Sequence, residues 1–157
     1  MFFLQRLGKK DIFIDIPESE FKSIIFHVIK NSSLSRKKDI FEGIIAREKL
    51  KTTAMGNAIA IPHCRLDNFK GIYVKFVLFK GNLGYIAPNN EEVRFIFLIA
   101  GSREDMGYYV RTLAHIAKIM KSGTIRKELL QARNKKEICR VFREYENKEL
   151  EKVLSWK

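Results

Sequence analysis

Cysteine and proline are scarce in this chain, with two of the first and three of the second in 157 residues. Cys64 and Cys139 are too few and too far apart for a disulfide framework or a cysteine-based zinc site, so reduced thiols are expected. Long apolar runs are missing as well. None approaches the roughly 18 residues of a membrane span, so no span is expected. The N-terminal M-F-F-L-Q-R-L-G-K-K-D puts apolar residues before charge, the reverse of a secretory signal, which makes the cytoplasm the expected location. Neither G-x-x-x-x-G-K-[ST] nor G-x-G-x-x-G occurs, which argues against a nucleotide-binding kinase or dehydrogenase. H-E-x-x-H and His/carboxylate clusters are also absent, so neither a metal nor a cofactor is expected.

Acidic residues are outnumbered, 18 Asp plus Glu against 30 Lys plus Arg, for a net charge of +12. The excess is spread along the chain with its largest share after residue 102, and the longest basic run is Arg36-Lys37-Lys38. Dispersed cations of this kind read as solvated helix faces, and nucleic-acid binding is the less favoured reading.

What is present is globular: 46% hydrophobic and 31% charged residues, in a length suited to one domain spanning 1–157. Asp11 to Ile16 alternates like a strand. Phe21, Ile24, Ile25, Val28 and Ile29 predict a helix over 18–31. Ser35 is the expected cap of a second helix reaching Leu50, with Ile40, Phe41, Ile44 and Ile45 inward. Strands are expected over Ala58–Ile61, Ile72–Phe79 and Val93–Ile99, with a loop over Gly81–Asn90. Val110, Leu113, Ala114, Ala117 and Met120 mark a helix that Gly123 ends, followed by helices near 124–132 and 135–145. Residues 146–157 form a helical extension or a loose tail. The order predicts an α/β fold, a mixed β-sheet flanked by helices.

Of the three histidines, His27 reads as structural or exposed, and His115 points away from the apolar stripe of its helix. His63 follows A-I-A-I-P, and Pro62 should interrupt a central strand, so the imidazole is expected at a strand end where ligands are met. Local reasoning leaves a working group and a packed bystander both open. Adjacent Cys64 faces the other way in extended backbone and reads as a packed residue, not a nucleophile.

Arg47 to Arg65, R-E-K-L-K-T-T-A-M-G-N-A-I-A-I-P-H-C-R, resembles the mannitol/fructose-type (type 2) enzyme IIA domain of the bacterial phosphoenolpyruvate-dependent phosphotransferase system, including its nitrogen-regulatory branch. That family carries R-E, then S-T-G-(I/L)-G-x-G-(V/I)-A-(I/L)-P-H. Thr52 and Thr53 stand at its Ser-Thr, Gly56 at one of its glycines, and Ala60 to His63 at its core. Leu83 to Val93, L-G-Y-I-A-P-N-N-E-E-V, is similar to its I-D-F-x-A-x-D-G-x-x-V. The similarity covers roughly residues 10–145.

The resemblance implies a stand-alone phosphocarrier in which His63 takes a phosphoryl group from an HPr-type carrier and passes it to a IIB cysteine or uses it as a signal to a regulated target. A regulatory role is the expectation, because no IIB or IIC domain accompanies the chain. Arg47 would neutralise phosphoryl charge, Thr53 would add a hydroxyl, and the turn through Gly56 and Asn57 would add backbone N–H groups. Arg65 and Lys70 would join a basic rim that attracts the partner. Tyr109 stands where the family has its second histidine, and Ala54 and Ala58 replace glycines of the turn. The alternative is a protein-binding module of the same fold with weak or lost transfer.

Overall fold

Phe95–Ser102 (β7) has all eight residues buried, as expected of an apolar run flanked by strands on both sides. In the computed structural model, which describes residues 3–81 and 84–155, this strand is the sheet's backbone. Ile72–Leu78 (β4) pairs antiparallel with one edge of β7, from Ile72 opposite Gly101 to Leu78 opposite Phe95. Ile12–Ile14 (β1) lies parallel on the far side of β4. The other edge of β7 takes two short parallel strands in succession, Ile59–Ala60 (β2) and His63–Leu66 (β3). Pro62 costs this pairing one donor, yet its carbonyl accepts from Ile99 N at 2.9 Å and the strand resumes. The strand is interrupted at Ile61 and Pro62, and His63 stands at a strand end, the first residue of β3, opposite Ile99.

Side-chain alternation splits the core in two. Ile61, Phe76, Phe97 and Ile99 face helices Met106–Met120 (α3), Gly123–Gln131 (α4) and Lys135–Leu154 (α5). There Phe142 of α5 closes on Phe76, with ring centroids 5.1 Å apart. Ala60, Cys64, Val77, Ile96 and Leu98 face Phe21–Lys30 (α1), Lys37–Leu50 (α2) and a hairpin of Tyr85–Ile86 (β5) with Glu92–Val93 (β6). The result is the mixed sheet with helices on both faces that the sequence order predicts. A Cβ on Gly43 would stand 3.0 Å from Cys64 Cβ, so α2 crosses tightly against β3 and its next turn delivers Arg47 to the sheet rim.

Several boundaries move. β1 stops at Ile14 because Asp15 turns to φ 48 and its carboxylate accepts from Lys80 N at 2.7 Å. α1 begins at Phe21, and α2 is not capped by Ser35. Its N-cap is Arg36 at φ 51, whose guanidinium donates to Asp39 (3.0 Å) and to the Asp67 carbonyl (2.7 Å). Glu92–Val93 belongs to a separate hairpin strand rather than to β7, and Gly123 opens α4 after Ser122 caps it. Residues 146–154 are helical as part of α5, with Trp156 and Lys157 outside the described residues.

The largest correction concerns α3. Its buried stripe is Tyr109, Thr112, Ile116, Ile119 and Met120, while Val110 is 52% exposed. The helix is turned about one position from the expected face, because Thr112 can be buried once its hydroxyl donates to Tyr108 O at 2.9 Å. This rotation brings His115 inward, with Nε2 2.9 Å from Glu146 Oε1, a wholly buried carboxylate that also accepts from Leu4 N. His115 is thus structural, not exposed. His27 lies 2.7 Å from Glu18, a local tie.

Candidate functional site

His63 faces the α3 side of the sheet, and Cys64 faces the opposite core, where burial pushes its thiol up to about 12. The two cannot work as a pair. His63 Nδ1 lies 2.7 Å from the Ile61 carbonyl oxygen. A carbonyl only accepts, so Nδ1 holds the proton and Nε2 carries the lone pair. Burial holds the His63 pKa below its ordinary value, and the charges of Arg47 and Arg65 act in the same direction against the Ile61 carbonyl and Glu48. Near pH 7 the ring is a neutral nucleophile already in the required tautomer.

Arg47 in the last turn of α2 donates from Nη1 to the Lys51 carbonyl at 2.9 Å, which fixes its stem at the helix end. Its neighbour Glu48 takes both donors of Thr53, the hydroxyl at 2.6 Å and the backbone N–H at 2.9 Å. The Thr53 hydroxyl proton is therefore committed to Glu48. Thr53 secures the turn from behind rather than offering a hydrogen to a bound group.

The turn is a small hairpin. Ala54 pairs antiparallel with Ala60, Ile61 N donates to Thr53 O, and Met55 N donates to Ile59 O. Thr53 thus sits beside Ile61, while Gly56 and Asn57 are carried to the tip, at the end away from His63. The structure does not bring these two to the imidazole. They shape the tip with φ 94 and 56, and Ala58 follows at φ 64. An alanine in this region is strained, and it is held there at both ends: Glu91 Oε1 accepts its N–H at 3.1 Å, and Arg94 N and Phe95 N donate to its carbonyl. Ala58→Gly removes the Cβ penalty and is expected to raise stability by about 1 kcal/mol, read as a higher denaturation midpoint in urea.

Arg65, two residues along β3, shares the His63 face. Its guanidinium lies over the Tyr109 ring at 5.7 Å, donates to Met106 Sδ, and accompanies a His63–Tyr109 centroid distance of 6.0 Å. Tyr109 can lie this close because Gly101, opposite Arg65 in the register, has no Cβ. One there would meet the Tyr109 ring at 2.5 Å. Tyr109 is 2% exposed, its hydroxyl has no partner among the described residues, and burial raises its pKa, so the phenol stays protonated. Lys70 is elsewhere. It stands exposed in the connection beyond Leu66, and the far end of β3 is already roughly 10 Å from His63.

A neutral imidazole on which the charges of Arg47 and Arg65 act, with the Tyr109 ring beside it, suits an anionic, electrophilic group such as a phosphoryl. Residues 7–145 match the family model for the phosphoenolpyruvate-dependent sugar phosphotransferase system, EIIA 2. The chain belongs to this family. A nitrogen regulatory protein of Klebsiella oxytoca is 31% identical over 107 residues, which cover 67% of this chain and 65% of the relative, just under two thirds of its length. The nitrogen regulatory protein IIA-Ntr of Neisseria meningitidis superposes with a TM-score of 0.78 at 26% identity over 89% of this chain and 98% of that one. Enzyme IIAMTL of Escherichia coli, solved with phosphorylated enzyme IIBMTL, has the same fold, with a TM-score of 0.67 at 16% identity over 87% and 96% of the two chains. No helix among the described residues is long and apolar enough to cross a membrane.

In this EIIA 2 chain three supporting residues escape local reasoning. Glu48 is the acid of the R-E pair, Glu91 lies in A-P-N-N-E-E-V, and Gly101 shows in the sequence only as the place where strand gives way to helix. The first two carry the signal of lying inside family motifs. Gly101 carries none until its partner Tyr109 is seen.

Proposed function

We propose that the protein is a phosphocarrier whose His63 Nε2 accepts a phosphoryl group from a phosphohistidine of an HPr-type carrier and yields it to a IIB cysteine or keeps it as a regulatory mark. The supporting observation is the Nδ1 contact with the Ile61 carbonyl, which leaves the Nε2 lone pair free beside Arg47 and Arg65. In the forward step the lone pair forms the new N–P bond as the donor's N–P bond breaks and its electrons return to the donor imidazole. The proton stays on Nδ1, where the Ile61 carbonyl steadies the ring's positive charge. In discharge a partner thiolate attacks phosphorus, and the Nε2–P electrons return to Nε2. Arg47 and Arg65 offset charge on the phosphoryl oxygens throughout, as phosphoryl transfer requires. The reaction is proposed to take place in the cytoplasm.

The test is incubation with phosphoenolpyruvate, enzyme I and HPr of the same cell, followed by intact-mass and fragmentation measurements. One acid-labile phosphoryl group on His63 is expected. Unmodified protein in the presence of demonstrably active partners overturns the proposal.

Tyr109 favours a second reading, a regulatory module that binds a target protein and transfers slowly. A phenol kept protonated by burial offers phosphoryl oxygen a hydrogen bond but not the charge of an imidazolium. Rapid transfer from phosphorylated protein to a cognate IIB cysteine excludes it. Tyr109→Phe separates the roles of this residue. Removing an unpartnered buried hydroxyl is expected to raise stability by about 1 kcal/mol. Losing one hydrogen bond to the phosphoryl group is expected to slow phosphorylation by about 10-fold. Calorimetry and single-turnover kinetics read the two effects, and an unchanged rate removes Tyr109 from the site.

A further inference from the structure

On the opposite border of the sheet from His63, a cavity of about 490 Å3 opens between the segment Leu7 to Lys9 and the first turns of α5. The strand order β3, β7, β4, β1 separates the two borders by roughly 14 Å. Lys9 enters the cavity from one side. From the other come Lys136, Arg140 and Arg143, which share one helix face with Cys139 because their spacings are three and four.

The charge of this cavity is not balanced locally. Its acid, Glu137, accepts from Arg133 N at 2.6 Å and from Arg133 Nε at 2.9 Å. Arg140 is partly offset by Glu144 at 3.9 Å. Lys9, Lys136 and Arg143 form no ion pair among the described residues. Burial raises the Cys139 thiol's pKa, with Arg143 and Lys9 acting against it and Asp11 acting with it, and Asp11 is itself paired with Lys75. Cations at spacings of three and four on one helix repel, a cost natural helices relieve with interposed acids, and α5 does so at Arg140/Glu144 and Lys152/Glu149. It leaves Lys136 and Arg143, on the face toward Lys9, without an ion pair among the described residues.

We propose that this cavity binds a small molecule bearing a chain of two or more phosphates, held by Lys9, Lys136, Arg140 and Arg143. Guanidinium groups suit phosphate oxygens in pairs and lysines add point charge. The recessed shape, with buried Leu7 and Cys139 in its lining, favours a compact polyanion over an extended nucleic acid. The site uses none of the His63 machinery and stands whether or not His63 is phosphorylated.

The experiment is titration calorimetry of the full chain with tripolyphosphate, ATP, AMP and orthophosphate at low and near-physiological salt. Tripolyphosphate and ATP are expected to bind, and AMP and orthophosphate to bind at least about 10-fold more weakly. Equal affinity for the first two shows that the phosphate chain alone is read, and tighter ATP adds a contact to the base. Lys136→Glu with Arg143→Glu is expected to weaken tripolyphosphate by 10-fold or more, roughly, and the exposed pair Lys22→Glu with Lys127→Glu by less than about 2-fold. Bound tripolyphosphate is also expected to slow alkylation of Cys139, mapped by peptide mass, and to leave Cys64 unaffected. Absence of binding at low salt overturns the proposal. So do equal losses in the two double variants, or short single-stranded DNA binding more tightly than tripolyphosphate.

Discussion

His63→Ala is expected to abolish phosphorylation by the phosphoenolpyruvate, enzyme I and HPr cascade while leaving the fold intact. The side chain is half-buried at the head of β3, and its contact with protein polar groups is the Ile61 carbonyl, which lies at the rim of the sheet. Truncation therefore costs about 1 kcal/mol, a shift of a few degrees in melting temperature for a chain of this size. The cost also depends on pH in a direction set by the depressed His63 pKa. The unfolded chain binds a proton at His63 below about pH 6.5, whereas the folded chain does so only at lower pH. Falling pH thus favours the unfolded wild type through that window, and the alanine variant escapes this loss. The stability gap between the two is expected to narrow from pH 7 to pH 5, as measured by urea denaturation. The same depression keeps Nε2 unprotonated in mild acid. By NMR the His63 imidazole should titrate below 6.5, with phosphoryl acceptance holding up until that lower midpoint is reached. A fully phosphorylated alanine variant would place the acceptor elsewhere.

Much of this site is legible in the sequence because it lies in two contiguous motifs. His63, Arg47 and Arg65 all fall within the stretch Arg47 to Arg65, and period-two alternation along β3 puts His63 and Arg65 on one face without any structure. What the local pattern hides is pairing at a distance. That Pro62 interrupts the strand follows from its missing N–H, but the sequence does not show that pairing resumes at once in β3, helped by Ile99 N donating to the Pro62 carbonyl. The tip of the Thr53–Ile61 hairpin looks close to His63 in sequence, but antiparallel pairing of Ala54 with Ala60 sends Gly56 and Asn57 away from it. Lys70 is close in sequence too, and the length of β3 removes it.

The α3 error has a different source. Two apolar stripes one position apart are present, and the choice between them rests on Tyr109 packing against Gly101 and on Glu146 receiving His115 from the distant α5. A buried carboxylate 31 residues away leaves no periodic trace. The helix face was decided by partners, and the partners were decided by the sheet.

Arg47→Ala is expected to slow phosphorylation of His63 by about 10²–10³-fold, the range for removing one preorganised group that meets developing charge. The guanidinium is already held by the Lys51 carbonyl at the end of α2, so it meets the phosphoryl oxygens without first being ordered. Arg47→Lys distinguishes charge from shape. A lysine restores the positive field but not the planar fork, and its single ammonium cannot serve the Lys51 carbonyl and two phosphoryl oxygens in the same geometry. The lysine variant is expected to recover part of the rate, remaining about 10-fold below wild type. The His63 titration supplies a second, independent reading. Arg47 holds the imidazole pKa down, so the midpoint should rise in Arg47→Ala and stay near wild type in Arg47→Lys. Were both variants to transfer at the wild-type rate while only the alanine shifted the midpoint, Arg47 would be an electrostatic neighbour of His63 and not part of the phosphoryl site. Slow transfer in both, with the midpoint moved only in the alanine variant, assigns it the fork as well as the charge.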